Sequence, residues 1–198
     1  MSNFAAILLA AGESRRMGET KQLLDAGGQP MVRRAAGICQ AAGLSPIVAV
    51  LGHAAARVEQ ALAGLPVHCV MNADFSSGMA SSLTTGLKVL PAETQAVLIV
   101  LGDMPLVGAE DIAALCAAYA PEAGRVICIP VHGGRRGNPV LLGRPVFAAL
   151  AGLSGDQGAK TFIRQHAALA VEVPAGPGVL LDIDTPEAYK AFRQDAER

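Results

Sequence analysis

Short, wholly apolar segments are the feature of this sequence that most restricts its fold. Phe4–Leu9 and Ala96–Leu101 contain no polar side chain, which is typical of strands covered on both faces of a parallel sheet. Alanine-rich stretches with the spacing of amphipathic helices separate these segments from others like them. The alternation predicts a three-layer α/β protein, with a mainly parallel, Rossmann-like sheet between two layers of helices.

The predicted elements alternate along most of the chain. The predicted strands are Phe4–Leu9, Pro46–Leu51, Val67–Met71, Ala96–Leu101, Arg125–Pro130, Leu169–Val173 and Val179–Asp182, and a glycine-rich turn in Gly133–Leu142 leads into one more. The predicted helices are Pro30–Ala42, Ala54–Ala63, Met79–Leu90, Ala109–Tyr119, Asp156–His166 and Pro186–Gln194, the last capped by Thr185. Because the 198 residues hold no internal repeat or linker, they predict a single domain, residues 1–198.

Composition excludes several classes of protein. Hydrophobic residues make up 52% of the chain and charged residues 17%, which suits a large core and not a disordered chain. A net charge of −1 argues against binding to nucleic acid or to an anionic membrane. The first apolar run stops at Gly12 without a basic region before it, so we expect no signal peptide, no membrane span and a cytoplasmic location. The four cysteines lack metal-binding spacing and are expected to be buried, reduced thiols.

The segment ILLAAGESRRMGETKQLL, residues 7–24, places small residues and then cations after the first strand. Ligands of parallel sheets bind beyond the carboxyl ends of the strands, where small residues let a ligand approach the backbone. Hydroxyl and cationic side chains around such a loop suit a triphosphate, although a tight turn with solvated arginines is the alternative. Neither GxxxxGK[ST] nor GxGxxG is present, which excludes a P-loop NTPase and a standard dinucleotide site. The candidate residues are Leu9, Ala10, Ala11, Gly12, Ser14, Arg15, Arg16 and Lys21.

Aspartates follow two later apolar segments. Asp103 comes just after Ala96–Leu101, and a carboxylate beside a triphosphate is what Mg²⁺ requires, although a turn or helix cap is an equal alternative. Asp182 and Asp184 alternate along the predicted strand Val179–Asp182 and its end, which points them to one side. Asp184 alone also suits the positive end of the following helix.

Three other polar segments are ambiguous from the residues alone. Residues 72–87 form a polar loop entering a helix, whose glycine and serines suit either a nucleoside or an ordinary helix start. Residues 132–142 read as a hairpin turn with exposed arginines, and residues 154–160 as a helix start. The histidines have no nucleophile nearby in sequence, so no catalytic triad is predicted.

The motifs together resemble a known family. LAAGESRRMG followed by Lys21, and GDMP at 102–105, resemble motifs of the MobA-like nucleotidyltransferases, which have a glycosyltransferase-A-like, Rossmann-related fold. RRGNP, GDQGAK and DIDTPE resemble those of its molybdenum cofactor cytidylyltransferase (MocA-like) branch. Gln22 is the main departure from the pattern, at a position expected to be variable.

The resemblance implies transfer of CMP from CTP to the molybdenum-molybdopterin cofactor, with a molybdenum hydroxylase as a possible client. It implies charge neutralisation by Lys21, Arg15 and Arg16, and Mg²⁺ bound by Asp103 with Asp184 or, second, Asp182. The resemblance also implies that an alanine at position 11 favours CTP as the nucleotide. The implied nucleotide contacts further along the chain are Asn72, Gly78 and Ser82, and the implied acceptor contacts are Arg136, Asn138, Asp156 and Lys160. Two alternatives stay open, a different phosphate acceptor and a carrier of the dinucleotide product; a nicotinamide-dependent oxidoreductase is disfavoured by the missing GxGxxG.

Overall fold

The computed structural model describes residues 3–14, 17–153, 155 and 159–196. Within these ranges the strands are β1 (Phe4–Ala10), β2 (Ile47–Leu51), β3 (Val67–Met71), β4 (Ala96–Leu101), β5 (Ile127–His132), β6 (Arg135–Arg136), β7 (Val140–Gly143) and β8 (Ala170–Pro174). They form one eight-stranded sheet in the order β3-β2-β1-β4-β7-β5-β6, with β8 paired to β5. The predicted mainly parallel α/β fold is confirmed.

The sheet has a parallel half and a mixed half. Strands β3, β2, β1 and β4 run parallel to one another, and β7 runs antiparallel to β4. Val140 at the start of β7 pairs with Ile99 near the end of β4. The segment that leads into β7 therefore reaches the edge of the sheet where β1 and β4 end.

Helices cover both faces of this sheet. The helices are α1 (Met31–Ala41), α2 (Ala55–Leu62), α3 (Met79–Lys88), α4 (Ala109–Ala118), α5 (Phe147–Ala151), α6 (Ala159–Gln165) and α7 (Pro186–Ala196). Along β1, Ala6 and Leu8 pack in one core with α1, α2 and α4, while Ala5 and Ile7 pack in the other with α3, α5 and α6. Two buried faces explain why β1 is apolar throughout. No helix in the described ranges is long and apolar enough to cross a membrane.

One predicted strand is wrong. Residues Pro177–Leu180 form a 3₁₀ turn instead of the strand predicted over Val179–Asp182. Pro177 has no N–H to donate to a sheet ladder. A Cβ on Gly178 would lie 1.9 Å from the carbonyl oxygen of Leu106, so this segment crosses closely over the loop after β4. The apolar pattern there reflects burial under that crossing and not pairing with a strand.

Helix α7 packs against the segment that follows Lys21. Phe192 shares a third apolar cluster with Met17, Leu24, Ala26, Met31 and Ile183. The Tyr189 hydroxyl donates to the carbonyl oxygen of Asp25 at 3.0 Å, and Arg193 forms an ion pair with the Asp25 carboxylate. The predicted N-cap is confirmed, because the Ala188 N–H donates to Thr185 Oγ1 at 3.2 Å. The C-terminal helix is thus attached to the part of the chain that carries the cationic loop.

Candidate active site

A cleft of about 490 Å³ opens at the carboxyl ends of β1 and β4. Its position agrees with the rule that parallel sheets bind ligands beyond the ends of their strands. Of the residues predicted from sequence, those lining the cleft are Leu9, Ala11, Gly12, Ser14, Lys21, Gly78, Ser82, Asp103, Asp182 and Asp184. Ala10 is the buried last residue of β1 and does not line it.

Lys21 joins the two acidic segments of this cleft. Its Nζ lies 2.6 Å from Asp184 Oδ1 and also forms an ion pair with Asp103. The Lys21 side chain is 17% exposed, so this contact is largely shielded from water. Three residues from the beginning, the middle and the end of the chain therefore meet at one point.

The backbone holds the two acidic segments together. The Ile183 N–H donates to the carbonyl oxygen of Asp103 at 3.0 Å. Because Ile183 directly precedes Asp184, this bond holds the backbone of the two acidic segments side by side. Further along, the buried Asp111 accepts from the N–H of Gly176 at 2.8 Å and from that of Gly108 at 3.0 Å. These bonds fix the segment after β8 against the loop after β4. Asp182 and Asp184 both reach the cleft, although no strand carries them.

The ionisation of this cluster is set by burial and by mutual attraction. Burial disfavours the ammonium, but Asp103 and Asp184 outweigh it, so the pKa of Lys21 lies above its ordinary value. Burial raises the pKa of Asp103 above its ordinary value, and attraction by Lys21 offsets this only in part. Asp103 is thus a carboxylate in a site that makes its charge costly.

The acidic residues of the cleft have the chemistry of a Mg²⁺ site. Asp103 Oδ1 is buried and has no hydrogen-bond partner within the described residues. No group of three or more His, Cys, Asp or Glu side chains that could hold a metal occurs in the described part of the chain. One or two carboxylates, completed by substrate phosphates and water, are what Mg²⁺ uses in nucleotide-processing sites. Asp103 and Asp184 therefore fit Mg²⁺ that arrives with a phosphate ligand.

The loop after β1 is shaped by hydrogen bonds. Ser14 adopts φ +55°, a left-handed conformation that residues other than glycine rarely use. Its hydroxyl oxygen accepts from the N–H of Lys21 at 3.1 Å. The carbonyl oxygen of Ala11 accepts from the N–H of His53 at 3.1 Å, which anchors the loop to the end of β2. The predicted cations Arg15 and Arg16 lie outside the described residues.

The polar loop before α3 borders the opposite side of the cleft. Asn72 is buried, and its Nδ2 donates to Ser81 Oγ at 2.9 Å and to Ser82 Oγ at 3.0 Å. Gly78, at φ +112°, immediately precedes α3 and uses a conformation that a side chain would oppose. Gly78 and Ser82 face the cleft, whereas Asn72 orders the serines from behind.

Of the predicted acceptor residues, Arg136 and Asn138 are not in the lining of the cleft. The Arg136 side chain is half exposed and forms an ion pair with Glu172 at 2.7 Å. Asn138 donates its backbone N–H to the carbonyl oxygen of Val179 at 2.9 Å. Asp156 lies outside the described residues, as does the side chain of Lys160. The cleft thus contains most of the described residues that were predicted to contact the nucleotide, and neither Arg136 nor Asn138.

Several cleft residues were not predicted from the sequence. Glu13, Gln22, Phe75, Met79 and Gly102 all line the cleft. Gln22 is only 3% exposed. No pattern in the sequence identifies this position, because a single glutamine beside a lysine does not show whether its side chain is buried.

Comparison with known proteins gives consistent results. The model of the MobA-like NTP transferase domain matches residues 6–170. Nicotine blue oxidoreductase of Paenarthrobacter nicotinovorans is 34% identical over 80% of each chain, and purine catabolism protein PucB of Bacillus subtilis is 28% identical over 95% of each. The crystal structure of the Mycobacterium tuberculosis Rv0371c homologue from Mycobacterium sp. strain JC1 superposes with a TM-score of 0.84 at 28% identity, over 98% of each chain.

Proposed function

The chain belongs to the MobA-like NTP transferase domain family, and from that membership we propose that it transfers CMP from CTP to the terminal phosphate of the molybdenum-molybdopterin cofactor. The products are the cytosine dinucleotide form of the cofactor and pyrophosphate. The observation that carries the proposal is the meeting of Lys21 with Asp103 and Asp184 in the cleft beyond β1 and β4. A cation and two carboxylates at that place suit a triphosphate that binds with a divalent metal.

The proposed reaction needs charge neutralisation more than acid–base chemistry. An oxygen of the acceptor phosphate attacks the α-phosphorus of CTP, and the bond from that phosphorus to the bridging oxygen breaks, leaving pyrophosphate with the electron pair. A phosphate monoester is already an anion, so no strong base is required. Lys21 is the residue proposed to meet the negative charge of the triphosphate, and Gly12 and Ser14 line the same wall.

Mg²⁺ is proposed as the metal, because Asp103 and Asp184 supply the hard oxygen ligands that it prefers. When bound, it would neutralise phosphate charge and orient the α-phosphoryl group. The single positive charge of Lys21 is shared between two carboxylates and has less attraction left for a triphosphate. Binding of the nucleotide with its metal is therefore expected to transfer Lys21 from the carboxylates to the phosphates.

The choice of CTP and of the molybdenum cofactor rests on motifs. Ala11 in LAAG supports CTP, and RRGNP, GDQGAK and DIDTPE support the MocA-like branch. A carrier of the dinucleotide product would not need Lys21 and two acidic residues in contact, so the geometry favours the enzyme. A cytoplasmic location is part of the same proposal.

The decisive experiment is pyrophosphate release from each of the four NTPs with Mg²⁺, with and without purified molybdenum-molybdopterin. Release from CTP that depends on the acceptor would support the proposal, with the Lys21→Met protein as a control for contaminating activity. Preference for GTP would overturn the choice of nucleotide. Release of similar rate with a simple phosphate acceptor would point to another substrate, and no release with any NTP would favour the carrier.

A further inference from the structure

Gln22 occupies an unexpected place beside the cleft. It follows Lys21 directly in a 3₁₀ turn, Lys21–Leu23, and is only 3% exposed. A buried glutamine is costly unless its amide finds hydrogen-bond partners. Both of its partners lie in the loop after β1, which forms the wall of the cleft.

The amide of Gln22 bridges two points of that loop. Its Oε1 accepts from Ser14 Oγ at 3.3 Å, and its Nε2 donates to the carbonyl oxygen of Gly12 at 3.4 Å. Ser14 Oγ in turn accepts from the N–H of Lys21 at 3.1 Å. The hydrogen bonds form a closed ring from Gly12 through Gln22 and Ser14 to the backbone of Lys21. Both side-chain bonds of Gln22 are long for protein hydrogen bonds, so each is weak on its own.

Two further observations show what this ring constrains. Ser14 adopts its left-handed conformation at φ +55° with its hydroxyl held inside the ring. On the other side, a Cβ placed on Gly102 would lie 3.5 Å from Gln22 Cγ. Gln22 thus fills the space between the loop after β1 and the turn that carries Asp103. A side chain of another length or polarity would disturb both walls of the cleft.

We propose that Gln22 is a positioning residue, which acts through Ser14 and Gly12 to set the loop facing the nucleotide's phosphates. The expected effect on turnover rests on the proposed function, whereas the expected effect on the loop rests on the hydrogen bonds alone. Gln22 does not itself need to touch the phosphates. It keeps the loop in the conformation that binds them, so that little reorganisation is left for the reaction.

The test uses Gln22→Met, which keeps the length of the side chain and removes both hydrogen bonds. The control is Thr94→Val, which removes a hydroxyl that is 2% exposed just before β4, at the end of that strand opposite Asp103. Backbone hydrogen exchange of residues 10–23, without nucleotide, should become at least about threefold faster in Gln22→Met and stay unchanged in Thr94→Val. Unchanged exchange in Gln22→Met would overturn the proposal whether or not the protein is a transferase.

The kinetic arm uses the NTP that the wild-type protein turns over. Calorimetry counts the nucleotide-binding sites, so that kcat can be given per functional site. In Gln22→Met this kcat should fall about tenfold or more while KM changes less, because the variant loses the orientation of the loop. Ser14→Ala combined with Gln22→Met should lose clearly less than the product of the two single losses, because the bond between the two side chains is removed in either single variant. Losses that multiply in the double variant would show that Gln22 does not act through Ser14. Absence of turnover in the wild-type protein would count against the proposed function, and the exchange arm would then decide on Gln22.

Discussion

The ammonium of Lys21 lies 2.6 Å from the carboxylate of Asp184, a residue 163 positions later in the chain. Asp103 completes the contact from the end of β4. Lys21 therefore offsets the negative charge of the two carboxylates only in part, since one ammonium carries a single positive charge. We expect a divalent cation that binds at these carboxylates to compete with Lys21 for them.

Replacing Lys21 by methionine should lower turnover but strengthen the binding of a divalent metal. Turnover should fall by at least about 100-fold, the usual cost of removing one donor to the charge that develops in the transition state. Binding of Mn²⁺ without nucleotide, followed by electron paramagnetic resonance, should become tighter, because the competing ammonium is gone. Lys88→Met is the matched control, since Lys88 is exposed in α3, and it should alter neither quantity. Near-normal turnover of Lys21→Met would remove Lys21 from the mechanism.

Asp103→Asn should separate activity from stability. Burial raises the pKa of Asp103 in the folded protein above its ordinary value of 3.8, so the fold favours the protonated form more than the unfolded chain does. The favourable contribution of this group is present at low pH and is lost as the pH rises through the folded pKa. The variant should therefore lose turnover, while its Tm relative to the wild-type protein increases from about pH 4 towards neutral. A Tm that is much lower at pH 7 and near-normal at pH 4 would contradict this account.

Asp184→Asn and Asp182→Asn should differ in their effect. Both side chains line the cleft, but Asp184 is the one in contact with Lys21. We expect turnover to fall at least about tenfold more in Asp184→Asn, with a higher Mg²⁺ concentration needed for half-maximal rate. Titration of the rate with Mg²⁺ in the two variants checks the assignment. Equal losses, or a larger loss in Asp182→Asn, would transfer the metal role to Asp182.

Cys39 and Cys128 are buried and Cys116 is partly buried, and all three should be inert in the folded protein. Burial raises the pKa of Cys39 to about 12 and that of Cys116 and Cys128 to about 11. At pH 8 these groups are thiols, and the thiol reacts far more slowly than the thiolate. A colorimetric disulfide reagent should modify them only after denaturation, which serves as the internal reference. Rapid reaction of Cys39 in the native protein would show that the core containing α1 opens readily.

The parts of the fold that sequence predicts well are those where local pattern and tertiary packing agree. Ala96–Leu101 was predicted with the same bounds, since a strand buried on both faces leaves no polar position to confuse the pattern. Val179–Asp182 was predicted as a strand from its run of apolar residues. Val179 is fully buried, but beside the close crossing of Gly178 over Leu106, which depends on distant parts of the chain.

The same division holds for the candidate site. Lys21, Asp103 and Asp184 were singled out as separate motifs, and their placement in one cleft follows from the ends of parallel strands meeting at one edge. Their direct contact does not follow from that rule, because the backbone bond between Ile183 and Asp103 is set by how the chain returns after β8. Gln22 was missed since its partners, Gly12 and Ser14, are defined only once the loop after β1 is folded.

The sheet changes from parallel to antiparallel pairing where β7 joins β4. This change also separates the strands β1 to β4, which are synthesised first, from the strands that are synthesised later. Every described residue of the cleft up to Asp103 emerges before β7 does, whereas Asp182 and Asp184 emerge almost last. The backbone bond between Ile183 and Asp103 therefore joins one of the last segments to be synthesised to a loop that is made much earlier. Lys21 and Asp103 are made long before the carboxylate of Asp184 that completes their contact, so the acidic part of the cleft needs the C-terminal segment.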